Sequence, residues 1–429
     1  MILLLKGAQV IDPAQNTDDM LDLLIADGKI IQRGPSLQPP PGTQIINLAG
    51  LIAAPGLVDM HVHLREPGLE YKETIASGAA AAVAGGFTSI ACMPNTEPVN
   101  DNRSVTEFIL RKAREADLAH VYPIGALTTG SDGKRIAEYW DLREAGAVAL
   151  SDDGKPVMDA ALMRRAMEYA YSLDLPVIQH CEDKDLSTGG LMNEGYWSTQ
   201  LGLPGIPSIS EEVMVGRDIL IAEYTCTRIH IAHVSTAGSV RLIRDAQKRG
   251  VQVTAEAAPH HFTLTDQAVA GYNTNYKVNP PLRTPDDVKA VKEGLADGTI
   301  AAIACDHAPH ARTDKEVEFE YAACGISGLE TSLGLSFELV HDGTLTLAGL
   351  IAKMSLEPAR ILNIPAGTLA EGQTADITII DPALEWTVDV NSFRSLGKNS
   401  PFHGRRMKGR AVMTFVQGVV KYDGRVARP

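Results

Sequence analysis

Short apolar runs recur along the middle of the chain, at Leu57–His63, Phe87–Met93, Ala119–Gly125, Ala147–Ser151, Pro176–His180, Arg228–Val234, Val251–Glu256 and Ile300–Asp306. Each has the length of a buried strand. Most are separated by stretches with helical spacing of apolar positions, among them Asn102–Ala116, Met158–Ser172, Ser239–Arg249 and Thr284–Leu295. Strands alternating with helices predict a parallel sheet, and eight such units predict a closed (β/α)8 barrel.

The two ends have a different texture. Leu3–Ile11 and Leu23–Ile31 are strand-like, the second with Asp27-Gly28 set inside it as a tight turn. Ala375–Asp381 and Ala411–Tyr422 repeat the pattern near the C-terminus. These predict a small β-sandwich assembled from both termini, with Pro39-Pro40-Pro41 as a surface turn between two of its strands. The expected division is sandwich over 1–54, catalytic barrel over 55–364 and sandwich again over 365–429. At 429 residues the chain is long enough for one large barrel plus an accessory unit.

Composition narrows the function classes. Apolar content of 45% and charged content of 21% suit a globular enzyme. A net charge of −14 with no basic block argues against a nucleic-acid partner. No apolar stretch is long enough to span a membrane, and Met1–Gly7 lacks the charged start of a signal peptide. The five cysteines are scattered without a Cys-x-x-Cys, so reduced thiols in a cytoplasmic protein are expected.

The chemistry sits at the ends of the runs. His61 and His63 close the first, where alternation puts both imidazoles on one face about 7 Å apart. Asp153 follows the fourth run, His180 ends the fifth, His233 the sixth and Asp306 the eighth. In a barrel of this kind the active site lies at the C-terminal ends of the strands, so all six converge on one rim. Four imidazoles and two carboxylates suit one or two zinc-like divalent ions, with a shared Asp able to bridge a pair. Cys181 and Cys305 adjoin candidate ligands, and strand alternation turns both towards packing roles.

The chain resembles the amidohydrolase superfamily, and within it the bacterial type I dihydroorotases. The resemblance rests on His61-Val62-His63-Leu64-Arg65-Glu66-Pro67-Gly68, Gly85-Gly86-Phe87-Thr88, Met93-Pro94-Asn95-Thr96, Ser151-Asp152-Asp153-Gly154 and His180-Cys181-Glu182-Asp183. It continues through Ala258-Pro259-His260-His261-Phe262, Asn279-Pro280-Pro281-Leu282-Arg283, Asp306-His307-Ala308-Pro309-His310 and Gly328-Leu329-Glu330. It implies reversible hydrolysis of dihydroorotate to N-carbamoyl-L-aspartate in pyrimidine synthesis. The metal residues it implies are His61, His63, Asp153, His180, His233 and Asp306, holding one or two zinc ions. Substrate contacts are implied for His63, Arg65, Asn95, Asn279 and His310, and for Cys324 and Gly325 through their backbone. Partners implied are a small-molecule substrate, a second copy of the chain in a homo-oligomer, and aspartate carbamoyltransferase. Many members of the superfamily carry a carboxylated lysine at the end of the fourth strand. That strand, Ala147–Ser151, has none, and Lys155 lies beyond the turn, so Asp153 is the expected bridge.

Charge supplies the rest. Asp306 is placed to take a proton from the attacking water and pass it to the leaving nitrogen. Arg65 suits a ring carboxylate because a guanidinium can hold both oxygens at once. His120, His341 and His403 have no partner motif and are expected to be structural or solvated. His230 is expected on the face of its strand away from His233. His260, His261 and His307 are candidates for supporting hydrogen bonds, and Glu66 and Asp152 for orienting roles. Two rival functions remain. A hydantoinase or allantoinase is disfavoured by Arg65 and the missing lysine. A non-catalytic scaffold is disfavoured by the complete ligand set.

Overall fold

All eight apolar runs form strands, and they pair in parallel in chain order. The computed structural model describes residues 2–425, and its barrel strands are Leu57–Val62, Phe87–Cys92, His120–Gly125, Ala149–Leu150, Val177–Gln179, Ile229–Ile231, Val253–Ala257 and Ala302–Ile303. The first and eighth meet through backbone bonds just beyond them. His63 N–H donates to His307 O at 2.8 Å and His307 N–H to His61 O at 3.3 Å. Below these, the Asp59 carboxylate accepts the Cys305 N–H at 3.0 Å. The barrel is therefore nearly closed.

Two apolar layers follow from strand alternation. Inside, small residues dominate: Val58, Ala91, Ile124, Ala149, Ile178, Ala232, Ala302 and Ala304. Outside, Leu57, Phe87, Val177, Ile229, Ile231 and Ile303 pack against the helices in a larger core. Cys181 and Cys305 belong to that outer layer, as alternation requires. The helices begin where the sequence offers caps. Asn102 accepts from Ser104 and Val105 ahead of Arg103–Ala116, and Thr284 forms a capping box with Asp287 ahead of Pro285–Asp297. In Ala160–Ser172 the buried positions are Met163, Ala166, Met167 and Ala170, the one-face spacing of an amphipathic helix.

Both chain ends contribute to a second, mixed sheet. Its order is Val419–Asp423, Arg406–Val416, Ile377–Thr387, Ile52–Pro55, Ile2–Asp12, Thr17–Ala26 and Lys29–Gly34, with Gln44–Asn47 beside Ile2–Asp12. The halves join where Ile377–Ile380 runs antiparallel to Ile52–Pro55. Leu3, Leu5, Val10, Leu23, Ile25, Ile377 and Phe415 form its own core. The Asp27-Gly28 turn has φ of 50° and 75°, the pair of left-handed residues that a two-residue hairpin needs. Pro39–Pro41 lies in the connection between Lys29–Gly34 and Gln44–Asn47. Among the described residues no helix is long and apolar enough to cross a membrane.

Candidate active site

The first barrel strand does not alternate cleanly, and that irregularity shapes the site. Its pairing with the second strand shifts between Asp59 and Val62. Val58 and Met60 face the interior, yet Val62 joins the outer core, so the shift turns His61 as well as His63 inward. Their ring centroids lie 5.5 Å apart. His233 is delivered by a second irregularity. Its φ of 31° breaks the alternation after Ala232 and swings the imidazole over the barrel mouth, 5.1 Å from the His61 ring. Asp306 and Arg65 are also left-handed, with φ of 46° and 63°. Three non-glycine residues in that region at one rim are the kind of local strain that functional sites retain.

The six candidate ligands converge. His61 Nε2 lies 3.4 Å from Asp153 Oδ1 and 3.7 Å from Asp306 Oδ1. His63 Nε2 is 3.1 Å from Asp306 Oδ1 and 3.6 Å from Asp153 Oδ2. Two overlapping triads result, His61–Asp153–His233 and His61–His63–Asp306, each with donor atoms within 4.8 Å of one another. His180 is in neither. Its Nδ1 approaches His233 Nε2 at 2.9 Å and Asp153 Oδ1 at 3.8 Å, and its Nε2 pairs with Glu182 at 2.9 Å.

The donors fit a divalent cation. His61 Nε2 and Asp153 Oδ1 are buried, face each other and have no hydrogen-bond partner among the described residues. A cation of borderline hardness satisfies such nitrogen and carboxylate donors together. Burial opposes charge at His61, Asp153, His233 and Asp306, and local pairing overrides it in these four. The Asp153 and Glu256 carboxylates raise His61, while His63 and His61 hold Asp306 well below the usual carboxylate range. His180 is the exception, its pKa lowered by burial.

Behind the ligands lies a carboxylate that strand-end reading did not assign. Glu256, fully buried on the seventh strand, accepts from His61 Nδ1 at 2.6 Å and from His230 Nε2 at 3.1 Å. Against the cost of burial, those two histidines hold its pKa down to about 2. With Nδ1–H committed to Glu256, Nε2 is the nitrogen turned towards Asp153 and the one that would ligate a cation. The expectation for His230 is therefore corrected. It faces the interior beneath His61, because the left-handed turn at His233 lets both residues point inward.

The cavity above the ligands has a volume of about 200 Å³ and is lined by His63, Arg65, Asn95, Asn279, His310 and Gly325, among others. Arg65 Nε donates to Pro309 O at 3.2 Å, and its Nη2 lies 3.4 Å from His310 Nε2. Burial, with Arg65 and Lys72 nearby, pushes His310 down to about 2, so the ring is neutral. Its Nε2 lies 2.8 Å from Cys324 O. Asn95 is committed at both ends, to His63 Nδ1 at 2.8 Å and Asp153 Oδ2 at 3.4 Å. Asn279 lines the cavity, and its Nδ2 donates to Glu182 at 2.9 Å and lies 3.4 Å from His180 Nε2. Gly325 N–H is spent on Lys277 O at 2.9 Å, so the glycine meets the cavity mainly through its Cα. Its φ of 143°, with Ala308 Cβ 2.6 Å from where a side chain would begin, admits only glycine.

Other candidates fall elsewhere. Lys155 is exposed beyond the turn. Glu66 accepts from Ile75 N–H at 2.9 Å, and Asp152 takes the Thr128 N–H at 3.1 Å, both supporting loops. His307 is a supporting residue that accepts from Gly328 N–H at 3.1 Å, and His261 pairs with Pro280 O at 3.0 Å. His260 Nε2 has no partner. His120 pairs with Asp376 at 3.0 Å, and His341 and His403 are exposed.

Comparison with known proteins is consistent with this geometry. A dihydro-orotase-like family model matches residues 50–239. The dihydroorotase of Syntrophus aciditrophicus is 63% identical over 99% of this chain and the whole of its own length. That of Pelotomaculum thermopropionicum is 58% identical over the full length of both chains. Among solved structures, the L-hydantoinase (dihydropyrimidinase) of Arthrobacter aurescens superposes with a TM-score of 0.88 at 26% identity, covering 98% of this chain and 96% of that one. The dihydropyrimidinase of Brevibacillus agri shares the fold at 22% identity, with a TM-score of 0.85 and coverage of 99% and 95%.

Proposed function

The chain belongs to the dihydroorotase family of the amidohydrolase superfamily, and from that membership we propose that it hydrolyses dihydroorotate reversibly to N-carbamoyl-L-aspartate in pyrimidine synthesis. The observation that carries the reading is the juxtaposition of unpaired, buried His61 Nε2 and Asp153 Oδ1 with a small cavity flanked by Arg65. We assign the type I pattern, because Asp153 stands where a carboxylated lysine serves other members of the superfamily.

His61, His63, Asp153, His180, His233 and Asp306 would hold one or two zinc ions per subunit. A bound divalent cation supplies Lewis acidity, making water a nucleophile near neutral pH and polarising a carbonyl. The chain's own residues do the rest. Arg65, its Nε already held by Pro309, offers Nη1 and Nη2 to the ring carboxylate. That positive fork, with the neutral His310 beside it, draws an anion into a protein of net charge −14. Asn279 and the Cys324-Gly325 backbone bound the ring. Asp306 accepts a proton from water as its oxygen bonds to the ring carbonyl carbon. It returns that proton to the ring nitrogen as the carbon–nitrogen bond breaks, leaving a carbamoyl NH2 and a carboxylic acid that ionises by releasing its remaining proton to solvent. His63, fixed by Asn95, presents its Nε2 3.1 Å from Asp306 Oδ1, so the two would share a cation.

The same reading carries a homo-oligomer, supported by the exposed apolar Ile209, Val213, Leu220 and Tyr224 on helix Ile209–Thr225. It also carries a complex with aspartate carbamoyltransferase, and a cytoplasmic location to which five free cysteines are suited. The test is a substrate panel. Dihydroorotate should be turned over with a kcat/KM far above those for dihydrouracil and hydantoin. A preference for either uncharged ring would assign the chain to the hydantoinase branch.

A further inference from the structure

A strap from the terminal sheet reaches the catalytic rim. Residues 393–400 connect Ile377–Thr387 to Arg406–Val416, the two long C-terminal strands. The strap is fixed at its start by two glutamates, half-buried Glu330 and fully buried Glu73. Glu330 accepts from Arg394 and Ser395 N–H, at 2.6 and 3.2 Å. Glu73 accepts from Leu396 N–H at 3.1 Å and from the Ser395 hydroxyl. Lys398 Nζ donates to Phe393 O and Ser395 O, at 2.6 and 2.7 Å, closing the strap on itself. Next, Gly397 lies flat against Pro309, whose Cβ sits 2.5 Å from where a Gly397 side chain would begin.

Asn399 then completes the junction. It is 4% exposed and uses both ends of its amide. Oδ1 accepts from His310 N–H at 2.8 Å and lies 3.0 Å from Ser327 Oγ. Nδ2 donates to Ala308 O and Gly325 O, each at 3.0 Å. Ala308, His310 and Gly325 all line the cavity, on two loops that also meet directly through Ala308 N–H to Ile326 O at 2.9 Å and His310 Nε2 to Cys324 O at 2.8 Å. Gly325 O is also approached by Lys315 Nζ at 3.3 Å.

We propose that Asn399 is a positioning residue, setting the separation of the 306–310 and 324–326 loops and so the placement of His310 and Arg65 around the substrate. It is not among the residues lining the cavity, and its side chain bonds to none of the candidate ligands. Its influence on Arg65 runs through Pro309, which packs on Gly397 and accepts the Arg65 Nε–H. A carboxamide is required because the junction presents an N–H on one side and two carbonyls on the other. An aspartate at this place keeps the acceptor but sets an oxygen against both carbonyls. An alanine leaves buried groups without partners. The binding consequence rests on the dihydroorotase reading; the loop geometry does not.

The test compares full-length, metal-loaded wild type with N399A and N399D. In both variants bound metal per chain should match wild type, because the Asn399 side chain bonds to His310, Ser327, Ala308 and Gly325 and to none of the six candidate ligands. KM for dihydroorotate should rise about ten- to hundredfold while kcat stays within about threefold. Hydrogen–deuterium exchange should quicken in peptides covering 306–310 and 324–326 and stay unchanged over 57–63 and 149–153. If N399A fails to fold, the isosteric N399D carries the test. Unchanged KM in N399D, unchanged exchange in the two loops, or a loss of metal with KM unaltered would each overturn the proposal. A wild-type chain inactive on dihydroorotate would instead refute the proposed function, and the exchange comparison would still decide the role of Asn399.

Discussion

Replacing Glu256 should weaken metal binding in two graded steps, because its two oxygens do different work. Oε1 takes the His61 Nδ1–H at 2.6 Å, and Oε2 takes the His230 Nε2–H at 3.1 Å. In Glu256→Gln the amide oxygen can stay towards His61 and the NH2 turn towards His230. That ring then presents a bare Nε2 and moves its proton to Nδ1, where Thr254 Oγ1 accepts at 2.8 Å. Geometry survives and only the charge is lost. Glu256→Leu removes the acceptor. His61 Nδ1–H is then buried without a partner, at about 1–3 kcal/mol, and the ring is free to turn a protonated Nε2 towards Asp153. Outer partners of metal ligands typically contribute about 10–100-fold in affinity, so glutamine should sit near the lower end and leucine near the upper. Apo protein titrated with zinc against a competing chromophoric chelator reads the affinity, with thermal melting as the check on folding. Folded variants that both bind zinc within about threefold of wild type would refute the argument that Glu256 sets the His61 tautomer.

Asp306→Asn should keep much of the metal yet lose about 10²–10⁴-fold in kcat, since an amide cannot shuttle a proton; a near-normal rate at full metal content would reassign that step. Arg65→Met should cost about 10–150-fold in kcat/KM for dihydroorotate and far less for dihydrouracil, which lacks the carboxylate. Equal losses on both rings would make Arg65 a purely structural residue. Burial holds the Glu330 carboxyl protonated up to about 8, against about 4.3 in an unfolded chain. A folded pKa raised in this way gives stabilisation that is present in acid and lost as pH rises through about 8. Melting across that range should show Glu330→Gln gaining on wild type as pH increases, and a pH-independent difference would contradict the burial argument.

The barrel was legible because its strands are covered on both faces and read as continuous apolar runs, punctuated by capped helices such as Arg103–Ala116. The rim was legible for the same reason, since His61, His63, His180, His233 and Asp306 stand where those runs stop. What escaped has no local signature. Glu256 looks like one more residue at a strand end, and only the tertiary fold brings it under His61. Asn399 lies more than ninety residues from Ala308 in sequence and meets it through the strap. Strict alternation puts His230 on the wrong face, because a φ of 31° at His233 breaks it. Departures from regular geometry at the site are the places where periodicity arguments fail.

The most direct test of the account is turnover of dihydroorotate as a function of bound metal. Protein stripped with a chelator should be inactive and still folded, and activity should return in proportion to zinc restored. Full turnover in protein shown to be metal-free, or no turnover of dihydroorotate at saturating zinc, would contradict it.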